Sequence, residues 1–370
     1  MRAATLWMSI SANQTALLGP KPDDGLLMRP LLPDGAAART PTPRSGGYHG
    51  GAMSQPRRPS RKVSARSRAA ASMQLPASRP PLGVTSHLAA ATMPADAAVA
   101  FACEAVRAVG ETVTGTVWIH RAFPSVHLAR ARDVWVYLPP AYDPASERRY
   151  PVIYAQDGNN LFSAASAFAG QEWGLDETAE WLIGARLIPP VVIVGVANTD
   201  ERLAEYTWRP SEQGEGGEGA CYARFLREEL KPVVDAVYAT RPGREATGVL
   251  GSSLGGLLSL YLGAHEGDVF GLVGAMSPSL WWADGMACHD LVAVRRDLRV
   301  WLDMGGREGD DPEEWDANLA DARRLASLFQ GLGYATGIDF EYWEAPDDGH
   351  DEGAWGERAA QALRFLLAPL

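Results

Sequence analysis

One pentapeptide constrains the fold of this chain more than any other stretch. Gly251-Ser252-Ser253-Leu254-Gly255 fits G-x-S-x-G, with an apolar run before it (Ala246 to Leu250) and a helix-like run after it (Leu257 to Leu262). A serine hydroxyl is a weak nucleophile and becomes useful only when held in the open beside a base. A sharp strand-to-helix turn holds it so, and glycines two residues either side remove Cβ atoms that would clash there. The helix then starts beneath the serine, its N-terminal N–H groups and dipole facing any oxyanion that forms. The pattern makes Ser253 a candidate nucleophile, but an ordinary joint between strand and helix fits the same five letters. What decides is whether the rest of the chain supplies a base, an acid and a sheet to carry them.

The charge is unevenly spread. Residues 1–100 hold 12 Lys and Arg against 4 Asp and Glu, a net of +8, and the remainder holds 22 against 41, a net of −19. An acidic body argues against nucleic acid as a partner. The three cysteines, Cys103, Cys221 and Cys288, are odd in number and form no close-spaced pair. That pattern favours reduced thiols over a disulfide framework or a zinc site, and no metal or cofactor is expected. No stretch approaches the ~20 apolar residues of a membrane span. The N-terminus has a charged start, but its short apolar run is broken by polar residues, so it makes a poor signal peptide and a cytoplasmic location is expected. Nothing in the sequence fixes an oligomeric state.

Residues 1–98 read as a disordered low-complexity tail, rich in Pro, Ala, Ser, Arg and Gly and without a helix or strand period. An upstream extension outside the working protein, with Met73 or Met93 as the true start, is the other reading. From residue 99 the chain reads as one domain to 370. Ala95 to Val109 suggests a short helix, and Thr112 to Phe123 and Leu128 to Leu138 two alternating strands. Tyr150 to Ala155, Pro190 to Val196, Phe270 to Ser277 and Leu298 to Met304 are apolar runs of the kind buried on both faces of a parallel sheet, and Gly337 to Glu344 adds a last strand. Between them Trp173 to Leu187, Cys221 to Tyr238, Ala317 to Leu332 and Ala354 to Leu367 carry a helical period, with Pro232 implying a kink or a break. Strands alternating with helices give an α/β fold with a mainly parallel sheet and helices on both faces. Ligands of such sheets sit beyond the strand C-termini.

Of the seven histidines, His350 is the one in a loop directly after the last strand and before the last helix, in Asp347-Asp348-Gly349-His350-Asp351. A base for Ser253 must stand at that edge, and the order serine, acid, histidine puts the acid near the end of the preceding strand. Asp303, Glu308, Asp310 and Asp311 all lie there, and spacing does not choose among them. Two N–H donors are needed for an oxyanion. Leu254 follows the nucleophile, and Asp157-Gly158-Asn159, after the first buried strand, supplies the second, with Gly158 permitting close backbone approach to a ligand. Trp173, Arg202, Tyr206, Trp208, Trp281 and Trp282 sit in segments at the same edge and are candidates to line an acyl or aryl pocket.

Six segments together resemble one family. Val136-Tyr137-Leu138-Pro139-Pro140-Ala141-Tyr142, Gln156-Asp157-Gly158-Asn159-Asn160-Leu161-Phe162, Glu205-Tyr206-Thr207, Gly251 to Gly256, Met276 to Trp282 and Gly349-His350-Asp351 are similar to those of the α/β-hydrolase esterases that include ferric enterochelin esterases, feruloyl and acetyl-xylan esterases, esterase D and mycolyltransferases. The likeness covers about residues 113–370 and is greatest to the enterochelin-esterase-like branch. It implies an α/β-hydrolase fold, Ser253 as nucleophile and His350 as base. The family's acid falls in a Gly-Thr-x-(Asp/Glu) turn, which implies Glu308 here, although Gly306 replaces the threonine. A serine carboxylesterase acting on a small-molecule ester is the activity implied, whether the ester is a siderophore lactone, an aryl or an acyl ester. An acyltransferase of the mycolyltransferase type and a non-catalytic binding module on the same scaffold are the alternatives. Enterochelin esterases also carry a folded N-terminal domain where this chain offers low complexity.

Overall fold

A computed structural model describes residues 101, 105–285, 290 and 297–369. The expected tail at 1–98 lies outside the described residues, as do Cys103, Cys288 and His289.

Nine strands form one sheet. They are β1 (Val106–Arg107), β2 (Thr116–Phe123), β3 (Arg132–Leu138), β4 (Val152–Gln156), β5 (Val192–Val196), β6 (Thr247–Ser252), β7 (Leu272–Met276), β8 (Arg299–Gly305) and β9 (Phe340–Ala345). Their spatial order is β1-β2-β3-β5-β4-β6-β7-β8-β9. β1, β2, β3 and β5 pair antiparallel in turn, and every pairing from β5 through β4 to β9 is parallel. The five residues of β4 and the five of β5 are all buried, as expected where helices cover both faces.

Alternate side chains of these strands feed two cores. Val134, Val136, Val152, Tyr154, Val192 and Val194 point to one side, against helices α5 (Leu254–His265) and α6 (Pro312–Gly331). Trp135, Tyr137, Ile153, Ala155 and Ile193 point to the other, against α1 (Leu175–Gly184) and α7 (Glu352–Leu366). The period of two in the strands is thus what splits the apolar residues between the layers. The α/β architecture with helices on both faces is the one the sequence pattern calls for.

Three local expectations change. Of the helix expected over Ala95–Val109, residues 95–100 and 102–104 lie outside the described residues and Phe101 is helical, while Val106–Arg107 form β1 instead and pair with Ile119 and Trp118 of β2. Edge pairing there outweighs the Ala-rich helix propensity. The break expected at Pro232 falls just before it. A π turn over Phe225–Leu230 separates α3 (Gly219–Arg224) from α4 (Lys231–Val237), and the Lys231 N–H reaches back five residues to Leu226. Pro232 then falls in the first turn of α4, where its missing N–H costs nothing. Helix α6 begins five residues before the expected Ala317, because Asp311 caps it by accepting from the N–H groups of Glu313 and Glu314 and Pro312 takes the first position.

His120 ties the first described residue into this body. Its Nδ1 hydrogen-bonds the Phe101 carbonyl, its Nε2 lies 2.6 Å from the Tyr238 hydroxyl, and its ring stacks on Phe101 at 3.5 Å. Burial pushes its pKa down to about 4, offset in part by the Phe101 bond. The unfolded chain therefore takes up this proton first as pH falls. Stability should drop by about 3 kcal/mol between about pH 6.5 and pH 4, since each pH unit between the two values is worth about 1.4 kcal/mol. Urea unfolding midpoints across that range should show the slope in the native protein and lose this part of it in His120→Gln.

Candidate active site

The elbow turns on Ser253, which takes φ 57° and ψ −125° at the end of β6. That region is almost closed to residues with a Cβ and costs on the order of 1–3 kcal/mol. Three backbone bonds hold it: Ser253 N–H to Met276 O at 3.0 Å, and Leu257 and Ser279 N–H to Ser253 O at 3.0 and 3.1 Å. The flanking glycines are needed for contact. A Cβ on Gly251 would lie 2.6 Å from the Gly255 carbonyl, and one on Gly255 would lie 3.0 Å from Gln156 Cβ. The elbow and the loop after β4 are therefore pressed together.

Three strand ends converge on the Ser253 hydroxyl. His350, in the loop between β9 and α7, places Nε2 at 2.9 Å from Ser253 Oγ. Its Nδ1 lies 2.8 Å from Oε2 of Glu308, in the loop after β8. Trp355 of α7 sets its ring at right angles to the imidazole, 4.9 Å away. Glu308 is 2 % exposed, and its second oxygen accepts from the Gly305 N–H at 2.6 Å and from the Ser277 hydroxyl. A bare Gly305 allows this fold-back, since a Cβ there would lie 2.5 Å from that carboxylate oxygen. Gly306 is equally constrained. A Cβ on it would lie 2.3 Å from Pro346 O, so the threonine of the resembling family does not fit this turn.

The other candidate acids are engaged elsewhere. Asp303 is fully buried and accepts from Trp301 Nε1 at 2.7 Å, the Ser277 N–H at 3.2 Å and Arg358 Nε at 3.2 Å. Asp310 is exposed, its N–H donating to Glu314, and Asp311 is the cap of α6.

On the oxyanion side, Leu254 opens α5, whose first N–H groups have no partner within the helix. Asp157 adopts a left-handed conformation, and Gly158–Asn160 form a single 3₁₀ turn after it. The Asp157 N–H donates to the Tyr206 hydroxyl at 3.1 Å, and its carboxylate accepts from Arg202 of the short helix α2 (Arg202–Glu205) at 2.6 and 2.8 Å and from Asn198 at 2.6 Å. Gly158 is also fixed by packing. The space its Cβ would take is filled by β5, 2.4 Å from the Gly195 carbonyl carbon, so glycine is required by packing against the sheet.

The six expected pocket residues divide. Tyr206 is fully buried and serves to hold Asp157; Trp282 donates to Arg209 O at 2.8 Å from within the core. Trp173 is buried against Trp355, a layer behind His350. These three are packing residues, because an aromatic on an α/β loop has as much core to fill as rim. Arg202, Trp208 and Trp281 keep part of their surface open. Trp208 stacks on Tyr261 at 4.8 Å and donates to Asp290 at 2.8 Å.

Several neighbours of the site are not singled out by the sequence. Ser279 Oγ lies 3.2 Å from Ser253 Oγ. Glu352, the first residue of α7, accepts from Asn160 at 3.1 Å, and burial with Asp157 and Asp351 nearby pushes its carboxyl up. Arg358 is the most informative omission. It lies on the α7 stripe of Trp355, Ala359, Ala362 and Leu366, where an arginine is out of keeping with its neighbours.

Comparison with known proteins now decides the family. Residues 125–366 match the model of the Esterase family, described as "Putative esterase". The chain belongs to this family. As an Esterase family member it is a carboxylic ester hydrolase. It is 27 % identical to the uncharacterized protein YbbA of Bacillus subtilis over 50 % of this chain and 72 % of that one. It is 29 % identical to the iron(III) enterobactin esterase of Escherichia coli O6:H1 over 66 % of this chain and 56 % of that one. It therefore spans little more than half of that relative. The BES protein of Bacillus cereus superposes with a TM-score of 0.54 and 20 % identity over 71 % of this Esterase family member and 97 % of that chain, a likeness of fold.

Proposed function

We propose that this Esterase family member hydrolyses a small-molecule ester through an acyl-enzyme on Ser253. The observation that carries the reading is the unbroken relay from Ser253 Oγ to His350 at 2.9 Å and on to Glu308 at 2.8 Å, drawn from three separate strand ends. His350 Nε2 takes the serine proton as Oγ attacks the ester carbonyl. Glu308 accepts from Nδ1–H, fixing the tautomer and stabilising the imidazolium that forms. The Leu254 N–H and the N–H groups of Gly158 and Asn159 face the developing oxyanion, a contribution of about 3–4 kcal/mol per donor. His350 then protonates the leaving alcohol, and a water activated by the same ring releases the acid.

For substrate class, the iron(III) enterobactin esterase among the relatives favours a siderophore lactone or another aryl-bearing ester. The partly open Trp208, Trp281 and Arg202 suit a planar, polar acyl group. A panel of short acyl, feruloyl and catecholate-lactone esters, assayed with and without an alcohol acceptor, tests substrate and acceptor together. A fluorophosphonate should add covalently to Ser253, located by peptide mass spectrometry. Equal labelling of the native protein and Ser253→Ala would overturn the mechanism, and ester products formed with the acceptor would replace hydrolysis by acyl transfer.

A further inference from the structure

We propose that Arg358 is a positioning residue for the acid of this site: its guanidinium balances the second buried carboxylate, Asp303, so that the Glu308 carboxylate stays free to hold His350. The proposal rests on the Ser253, His350 and Glu308 reading above and extends it to the last helix.

The geometry is that of a shared counter-ion. Asp303 is 0 % exposed, Glu308 2 % and Arg358 3 %. Arg358 lies 3.1 Å from Asp303, 3.7 Å from Glu308 and 2.6 Å from Asp348. Its Nη2 also donates to Ser277 Oγ at 2.7 Å, leaving that hydroxyl's proton for Glu308. Ser277 thereby couples the two acids, its N–H serving Asp303 and its O–H serving Glu308. The groups facing this knot are Asp303 and Trp301 from β8, Glu308 from the loop after it, and Ser277 from the loop after β7. Asp348 and His350 come from the loop after β9, with Tyr342 from β9 close enough to feel Asp303.

Two carboxylates desolvated together do not both stay ionised without a cation, because each raises the other's hold on a proton. Burial holds Asp303 above the usual carboxylate range, and Arg358 is the largest influence opposing it. Without that cation the buried negative charge is uncompensated, and the cluster that orients the imidazole holds a proton more tightly. Catalysis then loses its base or its orienting acid, whichever atom carries the proton, and the titration belongs to the whole cluster. Conversely, neutralising Asp303 while keeping Arg358 leaves the guanidinium to Glu308 and Asp348 alone, so the imidazole sits in a less negative field.

The test uses the full chain and kcat/KM for an activated acyl ester measured from acid to alkaline pH. Arg358→Met should move the acid limb up by about one pH unit or more, as loss of an opposite charge at this range does. Arg358→Lys should return the limb to within a few tenths of a unit of its native position. Asp303→Asn should move it down, and Asp303→Asn with Arg358→Met should bring it back. Opposed displacements that cancel in the double variant are the signature of charge balance. A uniform loss of rate at every pH, with the limb unmoved in either single variant, would overturn the proposal by reducing Arg358 to packing. Should Arg358→Met fail to fold, the downward shift of Asp303→Asn and its return in the double variant decide the question in the same way. A Ser253→Ala protein that keeps its rate would instead overturn the underlying mechanism, whatever these variants do.

Discussion

Ser253→Ala should lower kcat on an activated aryl ester by a factor on the order of 10⁴ to 10⁶ while leaving the fold intact. In the proposed mechanism the hydroxyl is the attacking atom, and His350 Nε2 at 2.9 Å has no other proton to take from this residue. What remains should be the modest rate that an oxyanion pocket and substrate binding give without a nucleophile. The same position carries a second expectation. Ser253 is held at φ 57°, ψ −125°, a conformation that alanine bears no better than serine. Glycine reaches it freely, so Ser253→Gly should be as inactive as Ser253→Ala yet more stable than it by about 1 kcal/mol, after the entropy cost of glycine in the unfolded chain. Thermal midpoints of the two variants, measured side by side, read this directly. Equal midpoints would mean that the turn stores no strain at its central residue.

Glu308→Gln should cost about 10⁴ in kcat, roughly 5.5 kcal/mol of transition-state stabilisation. An amide that keeps accepting from Gly305 and Ser277 spends its single oxygen on them and turns an N–H₂ to His350 Nδ1, which disturbs the tautomer and leaves the imidazolium without a counter-charge. Asp310→Asn, two residues on, should leave kcat within about twofold, because that carboxyl is exposed and makes no contact with the imidazole. A result in the reverse order would move the acid to Asp310 and require the turn after β8 to rearrange in solution.

The architecture was legible because buried parallel strands write themselves as unbroken apolar runs. Val152 to Gln156 and Val192 to Val196 stand out from their neighbours whatever packs on them. The contact of Ser253 with His350 was legible because a motif and a position after the last strand single the two out. The acid was not, on spacing alone. Asp303 lies within β8 and three more carboxyls share the turn after it, and the backbone fold-back at Gly305 is what turns Glu308 toward His350. The aromatics misled in a consistent direction, since Tyr206 and Trp282 occupy loops in the chain but core in space. Arg358 left a trace that period reading discards, a charge on an apolar stripe, and its meaning needs partners from three other segments.

The loops after β8 and β9 meet as one body. Gly306 N–H donates to Ala345 O at 2.7 Å, Arg307 N–H to Asp348 O at 2.9 Å, and the missing Cβ of Gly306 is filled by Pro346. For protein engineering this makes the two loops a single cassette. Grafting only the turn after β8 from a relative that carries threonine there should drive Pro346 and the histidine loop off their seat, and grafting both loops together should not. Diversity at the rim is therefore open to exchange one loop at a time, whereas the acid and the histidine travel as a pair.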